Sequence, residues 1–158
     1  MKKIEEIKSK KELLLLYFLK YYSSKEILLT MCEIIEWTKI SRPTLEKHFE
    51  NLIKNNCIEK TKNGRNFLYK YNKNCEYETS NIHITNIILF QTASGDISLQ
   101  AFKIYVLMKK YVLQNNFLIK EENVYSLFKC DKKILEELLN KKCIIEYKNQ
   151  YETYFDVL

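Results

Sequence analysis

Two stretches of the sequence nearly repeat each other: LIKNNCI at 52–58 and LLNKKCI at 138–144, at an offset of 86 residues (138 − 52). At the same offset Phe49 aligns with Leu135. Matches that share one offset and one order favour a duplicated fold. Chance matching in a chain rich in Lys, Asn and Ile is the alternative.

The scarcity of Gly and Pro constrains the elements of each copy. The 158 residues include only 2 Gly and 1 Pro, while 46% of the residues are hydrophobic. Loops must therefore be short, helices should dominate, and the chain can bury a core. We predict a mainly α fold with small β-hairpins, of the α+β class, built as two units in tandem.

The most apolar run, LLLLYFL at 13–19, is too short to span a bilayer. Glu5, Glu6 and Glu12 precede it, and no small-residue cleavage site follows, so it is a poor signal peptide. We predict a buried helix here, no membrane partner and a cytoplasmic protein.

The cysteines are odd in number and widely spaced, which argues against a disulfide framework or a structural zinc site. We predict reduced thiols, most of them small buried side chains, and no metal or cofactor. The cysteines are Cys32, Cys57, Cys75, Cys130 and Cys143.

Apolar spacing predicts a helix over 10–22, ended by Ser23 and Ser24. A second helical pattern covers 25–38 and is interrupted near Thr30. The side chains predicted to be buried from its later part are Met31, Ile34, Ile35 and Trp37.

The stretch SRPTLEKHF at 41–49 has the composition of a helix start. Ser41 is suited to the N-cap, where its hydroxyl can accept from free amides of the first turn. Pro43 falls within that turn, where its missing N–H costs nothing. The predicted inward stripe of this helix is Leu45, Phe49, Leu52 and Ile53.

The next segment, 57–71, predicts a β-hairpin. CIEKT and NFLYKY have strand composition, and the Asn-Gly pair within KNGR is a strong turn signal. The order of helix, helix, turn, helix and hairpin over about 10–72 resembles the winged-helix family of DNA-binding domains. The resemblance implies a recognition helix at 42–54 and a basic wing at 60–70.

Recognition of this kind needs polar side chains in the major groove and cations near phosphates. Arg42 or Lys47 could read guanine, and Asn51 could pair with adenine. Glu46 and Glu50 would repel phosphate. The predicted DNA-binding residues are Ser41, Arg42, Pro43, Thr44, Lys47, Asn51, Lys54, Lys60, Lys62, Asn63 and Arg65.

The duplication predicts a second unit with helices at 97–114, 120–128 and 131–142, the last capped by Asp131. A second hairpin, CIIEYKNQYETYFDV, follows. The predicted division is a first domain at 1–73, a connecting segment of undetermined type at 74–94, and a second domain at 95–158.

The outward face predicted for the second unit is less basic than that of the first. With Ile134, Leu135, Leu138 and Leu139 inward, the third helix shows Lys133, Glu136, Glu137 and Asn140. The hairpin adds Glu146, Glu152 and Asp156 against Lys148. We predict that this unit serves assembly, as a homodimer, or packs on the first unit. Some aromatic residues are suited to an interface, although ordinary core packing at helical spacing is favoured for any one of them: Tyr105, Phe117, Tyr125 and Phe128.

The net charge also differs between the two halves of the chain, and the N-terminal half is the more basic one. Residues 1–75 carry 16 Lys/Arg and 9 Asp/Glu, or 16 − 9 = +7, and residues 76–158 carry 10 − 11 = −1. A basic half joined to a neutral half indicates a polyanionic partner, whereas a basic surface kept for solubility is the plainer alternative.

Together these features favour a double-stranded DNA-binding protein that regulates transcription and is not an enzyme. A plasmid or phage replication or transfer factor is an alternative, because tandem winged-helix replication initiators resemble this layout. A protein-interaction module without DNA binding is the alternative from another class. The sequence has no phosphate-binding loop, and its carboxylates are scattered on charged faces.

Overall fold

The computed structural model, which describes residues 1–79 and 81–158, divides the chain into two compact units, Met1–Asp96 and Ile97–Leu158. Both units combine helices with a small three-stranded antiparallel sheet. The predicted mainly α fold of the α+β class is confirmed.

The first unit opens with a single 3-10 turn, Ile4–Glu6. Its strands pair in the order β1-β3-β2, so the last strand lies in the middle of the sheet. The remaining elements are α1 (Lys10–Ser24), β1 (Leu29–Thr30), α2 (Met31–Thr38), α3 (Arg42–Lys54), β2 (Ile58–Asn63), β3 (Asn66–Tyr71) and α4 (Asn86–Ser94).

Helix α1 forms the centre of the first unit. Every residue of the run 13–19 is buried, and the helix packs against α3, α4 and β3. The prediction of a buried helix here is confirmed. The helix continues through Ser24 rather than ending before Ser23, because the Ser24 hydroxyl donates to the carbonyl of Tyr21 at 2.5 Å and keeps the last turn hydrogen-bonded.

Thr30 marks the predicted interruption before α2. Residues Leu29–Thr30 form the short edge strand β1, and the Thr30 hydroxyl then accepts from the amide of Glu33 at 3.3 Å. The Glu33 carboxylate accepts in return from the Thr30 amide at 2.7 Å, which completes a capping box. Ile34 is buried as predicted, but Trp37 is 43% exposed, so its predicted burial is wrong.

The segment 74–94 is part of the first unit. Near its start, the Lys2 amide donates to the Glu76 carbonyl and the Glu78 amide donates to the Lys2 carbonyl. Near its end, α4 packs on α1 and α2. These contacts tie the segment to the start of the chain and to the first two helices of the unit.

The second unit repeats the order of the first from α1 to β3. Its strands pair in the order β4-β6-β5, again with the last strand in the middle. The elements are α5 (Leu99–Asn115), β4 (Ile119–Lys120), α6 (Glu121–Phe128), α7 (Lys132–Asn140), β5 (Ile144–Lys148) and β6 (Thr153–Val157). The Asp131 side chain caps α7 by accepting from the Ile134 amide at 2.8 Å, as predicted.

Strand registers make the correspondence residue-specific. Ile58 pairs with Tyr71 in one hairpin, and Ile144 pairs with Val157 in the other, both at the offset of 86. Before the third helix the offset is 90, since α2 starts at 31 and α6 at 121. The difference arises within the third helix, because α3 has 13 residues and α7 has 9. The second unit therefore lacks about one helical turn.

Among the described residues, none of the helices combines the length and apolar character that a membrane span requires. Even α5, with 17 residues, carries three lysines.

Candidate nucleic-acid interface

Helix α3 begins at the predicted place, with Ser41 at the N-cap position and Pro43 in the first turn. The predicted capping hydrogen bond is wrong: the Ser41 hydroxyl lies 3.0 Å from the Thr44 hydroxyl and donates to it, instead of accepting from a backbone amide. The first-turn amides of Arg42 and Thr44 thus receive no acceptor from Ser41, at a tip where Arg42 and Pro43 are exposed.

The two faces of α3 are separated largely as predicted. Leu45, Phe49 and Leu52 are buried in the first unit. Ile53 is 39% exposed, so its predicted inward position is wrong. The buried apolar stripe of α3 therefore has three residues, and the helix also contacts α1 through polar side chains. The exposed residues of the outer face include Glu46, Lys47, Glu50 and Lys54.

The polar side of α3 centres on a buried carboxylate that the sequence did not single out. Glu12 of α1 accepts from His48 Nδ1 at 3.2 Å and from Asn51 Nδ2 at 2.8 Å. Asn55 Nδ2 donates to the Asn51 carbonyl at 2.9 Å. The Asn51 amide is therefore engaged within the fold, and pairing with adenine would require it to leave Glu12.

His48 also lies 3.5 Å, through Nε2, from the hydroxyl of Ser9, the residue that caps α1. The serine, imidazole and carboxylate have the connectivity of a hydrolase triad. The second unit indicates a structural role instead: there Glu137, at the position of Asn51, accepts from the Ser98 amide at 2.6 Å and from its hydroxyl at 3.0 Å. In both units these hydrogen bonds hold the third helix of the unit against the capped N-terminus of its first helix.

Two lysines of the β2–β3 hairpin, Lys60 and Lys62, lie on one face of the sheet. Lys60 pairs with Tyr69 and Lys62 with Phe67, so these four side chains share a face. Lys60 Nζ lies 4.0 Å from the centre of the Phe67 ring, within cation–π distance. The tight loop is Gly64–Arg65, one residue later than the predicted Asn-Gly turn, because Asn63 pairs with Asn66. Gly64 supplies the positive φ of +62° that this loop position requires.

Tyr69 of β3 links helix α3 to the β2–β3 hairpin. Its ring packs on Phe49 of α3 at 4.8 Å between centroids. Burial raises the pKa of Tyr69, the neighbouring Arg42 guanidinium lowers it, and the Glu46 carboxylate raises it. The start of α3 therefore lies beside the strand that carries Tyr69, and Lys60 lies opposite Tyr69 on the same sheet face.

We call the exposed cations of α3 and the β2–β3 hairpin the basic surface: Arg42, Lys47, Lys54, Lys60, Lys62 and Arg65. Two features moderate its charge. Arg42 Nε contacts Glu46 at 3.1 Å, and Glu50 is exposed on the same helix. Asn63 is also exposed, and Thr44 is half-buried.

The corresponding surface of the second unit carries compensated charge. Glu146 occupies the position of Lys60, and Lys148 occupies that of Lys62, at the offset of 86. Lys148 pairs with Glu146 at 3.3 Å. Glu136 is exposed on α7. A phosphate backbone would therefore meet charges of both signs on this surface.

Of the four aromatic residues considered for an interface, Tyr105 belongs to the core: it is fully buried in α5, and its hydroxyl donates to the Leu158 carbonyl at 2.5 Å. Phe117 is 57% exposed, and Tyr125 is exposed as well. Phe128 is half-buried against the Tyr111 ring.

Net charge is shared between the units more evenly than the halves of the sequence suggested. Met1–Asp96 carries 16 Lys/Arg and 12 Asp/Glu, or 16 − 12 = +4, and Ile97–Leu158 carries 10 − 8 = +2. The carboxylates of 76–96 belong to the basic half. The arrangement of cations, rather than the net charge, distinguishes the first unit.

The described residues contain no group of three or more His, Cys, Asp or Glu side chains arranged to hold a metal ion. Comparison of the chain with protein families, with curated proteins and with solved structures found no match.

Proposed function

We propose that the basic surface binds double-stranded DNA, with α3 in the major groove and the β2–β3 hairpin along the adjacent phosphates. The observation that carries the proposal is the junction at Tyr69. There α3, which carries Arg42 and Lys47, contacts through Phe49 the strand residue that pairs with Lys60 of the hairpin. Cations spread over a helix and a neighbouring hairpin suit a phosphate backbone better than a single small anion.

Base reading would come from the start and outer face of α3. Arg42 and Lys47 are exposed, and either can donate to the O6 and N7 acceptors of guanine. Arg42 would have to exchange its contact with Glu46 for that role. The uncapped amides of the first turn can donate to a phosphate, as helix starts commonly do.

The resemblance to winged-helix domains agrees with this proposal. The first unit has the helix–strand–helix–helix–hairpin order, and we propose that it and the second unit are tandem winged-helix units. A role in transcription or replication, and homodimer formation, stay predictions that DNA binding by the first unit does not require.

The test is fluorescence anisotropy of a labelled random duplex over about 50 to 200 mM salt. We expect affinity to fall steeply with salt, because neutralised phosphates release counterions. Lys47→Ala combined with Lys62→Ala should weaken binding and reduce the slope of log affinity against log salt by about 2, for two lost phosphate contacts.

The second unit provides a matched control. Lys133→Ala combined with Lys148→Ala removes the same two residue types at the same offset of 86, and both side chains are exposed. This variant should bind nearly as well as the parent protein. Equal losses in both double variants would show binding by net charge alone and would contradict the proposed surface.

A protein partner is the outcome to consider if no duplex binds at low salt. Pull-downs with the parent protein and the Lys47/Lys62 double variant then separate the alternatives. A protein-interaction module should retain its partners in that variant.

A further inference from the structure

Two cysteines far apart in the sequence meet in the first unit. Cys57 Sγ and Cys75 Sγ lie 2.7 Å apart. Non-bonded carbon atoms stay about 3.5–4.0 Å apart, and sulfur is larger, so the two thiols are in unusually close contact. Both are buried, Cys57 completely and Cys75 to all but 8%.

The backbone holds both residues in place. The Cys57 amide donates to the Leu52 carbonyl at 2.8 Å, and the Asn72 amide donates to the Cys57 carbonyl at 2.8 Å. The Cys75 amide donates to the Asn72 carbonyl at 3.0 Å. A disulfide bond length of about 2.05 Å is only about 0.7 Å shorter than this separation of the two sulfurs.

The surroundings of Cys75 favour its thiolate. The hydrogen bond with Cys57 lowers the pKa of the Cys75 thiol, against burial, which raises it. The Tyr77 amide, the Thr79 hydroxyl and the Lys20 ammonium lower it further. A thiolate is the form of cysteine that attacks disulfides and peroxides.

We propose that Cys57 and Cys75 are a redox site that closes reversibly to an intrachain disulfide across the base of the β2–β3 hairpin. The bond would link the junction of α3 and β2 to the chain that leaves β3. It encloses the hairpin of the basic surface, but the inference rests on the sulfur geometry and is independent of DNA binding.

With glutathione disulfide as the oxidant, the step balances as two exchanges. The Cys75 thiolate attacks one glutathione sulfur and releases the other glutathione as a thiolate, which takes a proton. Cys57 then loses its proton to solvent, attacks Cys75 Sγ and displaces the second glutathione, which is protonated in turn. Two protein thiols and one glutathione disulfide become one protein disulfide and two glutathione thiols, so two electrons pass to glutathione.

The second unit contains a natural comparison. Cys143 occupies the position of Cys57 and is equally buried, but its sulfur contacts the Lys141 carbonyl at 3.9 Å rather than a second sulfur. Cys32 is exposed at the start of α2. Non-specific oxidation would modify the exposed Cys32 first, whereas the proposed site predicts that the buried Cys57 and Cys75 are oxidised first.

To test the proposal, the full chain is refolded from urea in glutathione buffers of increasing disulfide fraction. Burial of the two cysteines then does not limit their access to glutathione, because they are exposed in the unfolded chain. Acid quenching, alkylation and peptide mass spectrometry then identify the linked cysteines. We expect the Cys57–Cys75 link to form in a more reducing buffer than any other pair. Cys75→Ser should leave Cys57 open to alkylation throughout, whereas the matched control Cys143→Ser should form the link like the parent protein.

Thermal unfolding, followed by the fluorescence of Trp37, is the second measurement. Closing an 18-residue separation (75 − 57) should raise the melting midpoint of the first unit by on the order of 10 °C. The oxidant should not shift the midpoint of Cys75→Ser. The proposal is overturned if both cysteines stay reduced across the whole series, if Cys32 cross-links first, or if the linked protein melts lower than the reduced one.

Discussion

Single buried polar residues decide how α3 sits on the first unit. Glu12 is buried, yet its two carboxylate oxygens accept from His48 and Asn51 of α3. A buried carboxylate without such donors would be costly, so the donors and the acceptor depend on one another. This junction, together with the buried stripe, sets the orientation of the outer face that carries Lys47.

Glu12→Ala should lower the free energy of unfolding of the first unit by about 1–3 kcal/mol, because it leaves the His48 and Asn51 donors without their acceptor. Urea unfolding measured by the fluorescence of Trp37, the single tryptophan, reports on this unit. Glu50→Ala on the exposed face of α3 is the control and should change the free energy by less than about 0.5 kcal/mol. Equal effects of the two substitutions would contradict the structural role of Glu12.

Lys20 provides a pH dependence at the residue scale. Burial lowers the pKa of its ammonium from 10.5 to about 8, although Cys75 nearby raises it. Its Nζ donates to the carbonyls of Thr79 and Ile82. Between pH 8 and pH 10.5, Lys20 therefore holds its proton more often in the unfolded chain than in the folded one. The contribution of Lys20 to the unfolding free energy consequently rises with pH over this range.

We therefore expect one lysine to titrate near pH 8 in carbon NMR of the side-chain Cε groups, and its signal to be missing from Lys20→Met. The unfolding free energy of the parent protein, relative to Lys20→Met, should increase from pH 8 to pH 10. Titration of every lysine at its ordinary pH would contradict the burial of this ammonium.

Elements differ between the units in their caps and in their length. Thr30 and Glu33 form a capping box on α2, whereas Lys120 at the corresponding position gives α6 no side-chain cap. Helix α3 is about one turn longer than α7.

Thr30→Ala should destabilise the first unit by about 1 kcal/mol, because the first-turn amides of α2 lose their acceptor. Trp37 lies within α2, so its fluorescence in urea measures the change directly. Lys120→Thr is the converse test in the second unit, where circular dichroism should show a more stable unit. An unchanged free energy of unfolding in Thr30→Ala would indicate that water replaces the capping hydrogen bond.

At the scale of the whole molecule, each unit has its own buried core. Leu52 and Leu138 occupy corresponding positions, and both are fully buried. Net charge is positive in both units, so the difference between them lies in local arrangement rather than in total charge.

Leu138→Ala should cost the second unit about 2–5 kcal/mol through lost burial and a cavity. We expect the Trp37 transition to keep its midpoint, while circular dichroism detects a second transition at lower urea. Leu52→Ala is the matched variant and should shift the Trp37 transition itself. A single transition that moves equally in both variants would show that the units unfold together.

Local chemistry determined much of this fold from the sequence alone. The duplicated order follows from the internal repeat. The N-cap position of α3, the Asp131 cap and the two hairpins follow from short-range signals such as capping residues and apolar spacing. These signals depend on neighbours within a few residues, so they can be recognised without knowing the tertiary contacts. Exposed cations such as Lys47 and Lys62 were predictable for the same reason.

Contacts between distant residues were decided only by the tertiary structure. Trp37 and Ile53 fit an apolar stripe, yet packing leaves both partly exposed, and Asn51 turns to a carboxylate 39 residues earlier in the sequence. Tyr69 becomes the junction of helix and hairpin, and Cys57 meets Cys75, because chain folding brings separate elements together. A local pattern specifies which side chains can be buried, but three-dimensional packing specifies which of them meet.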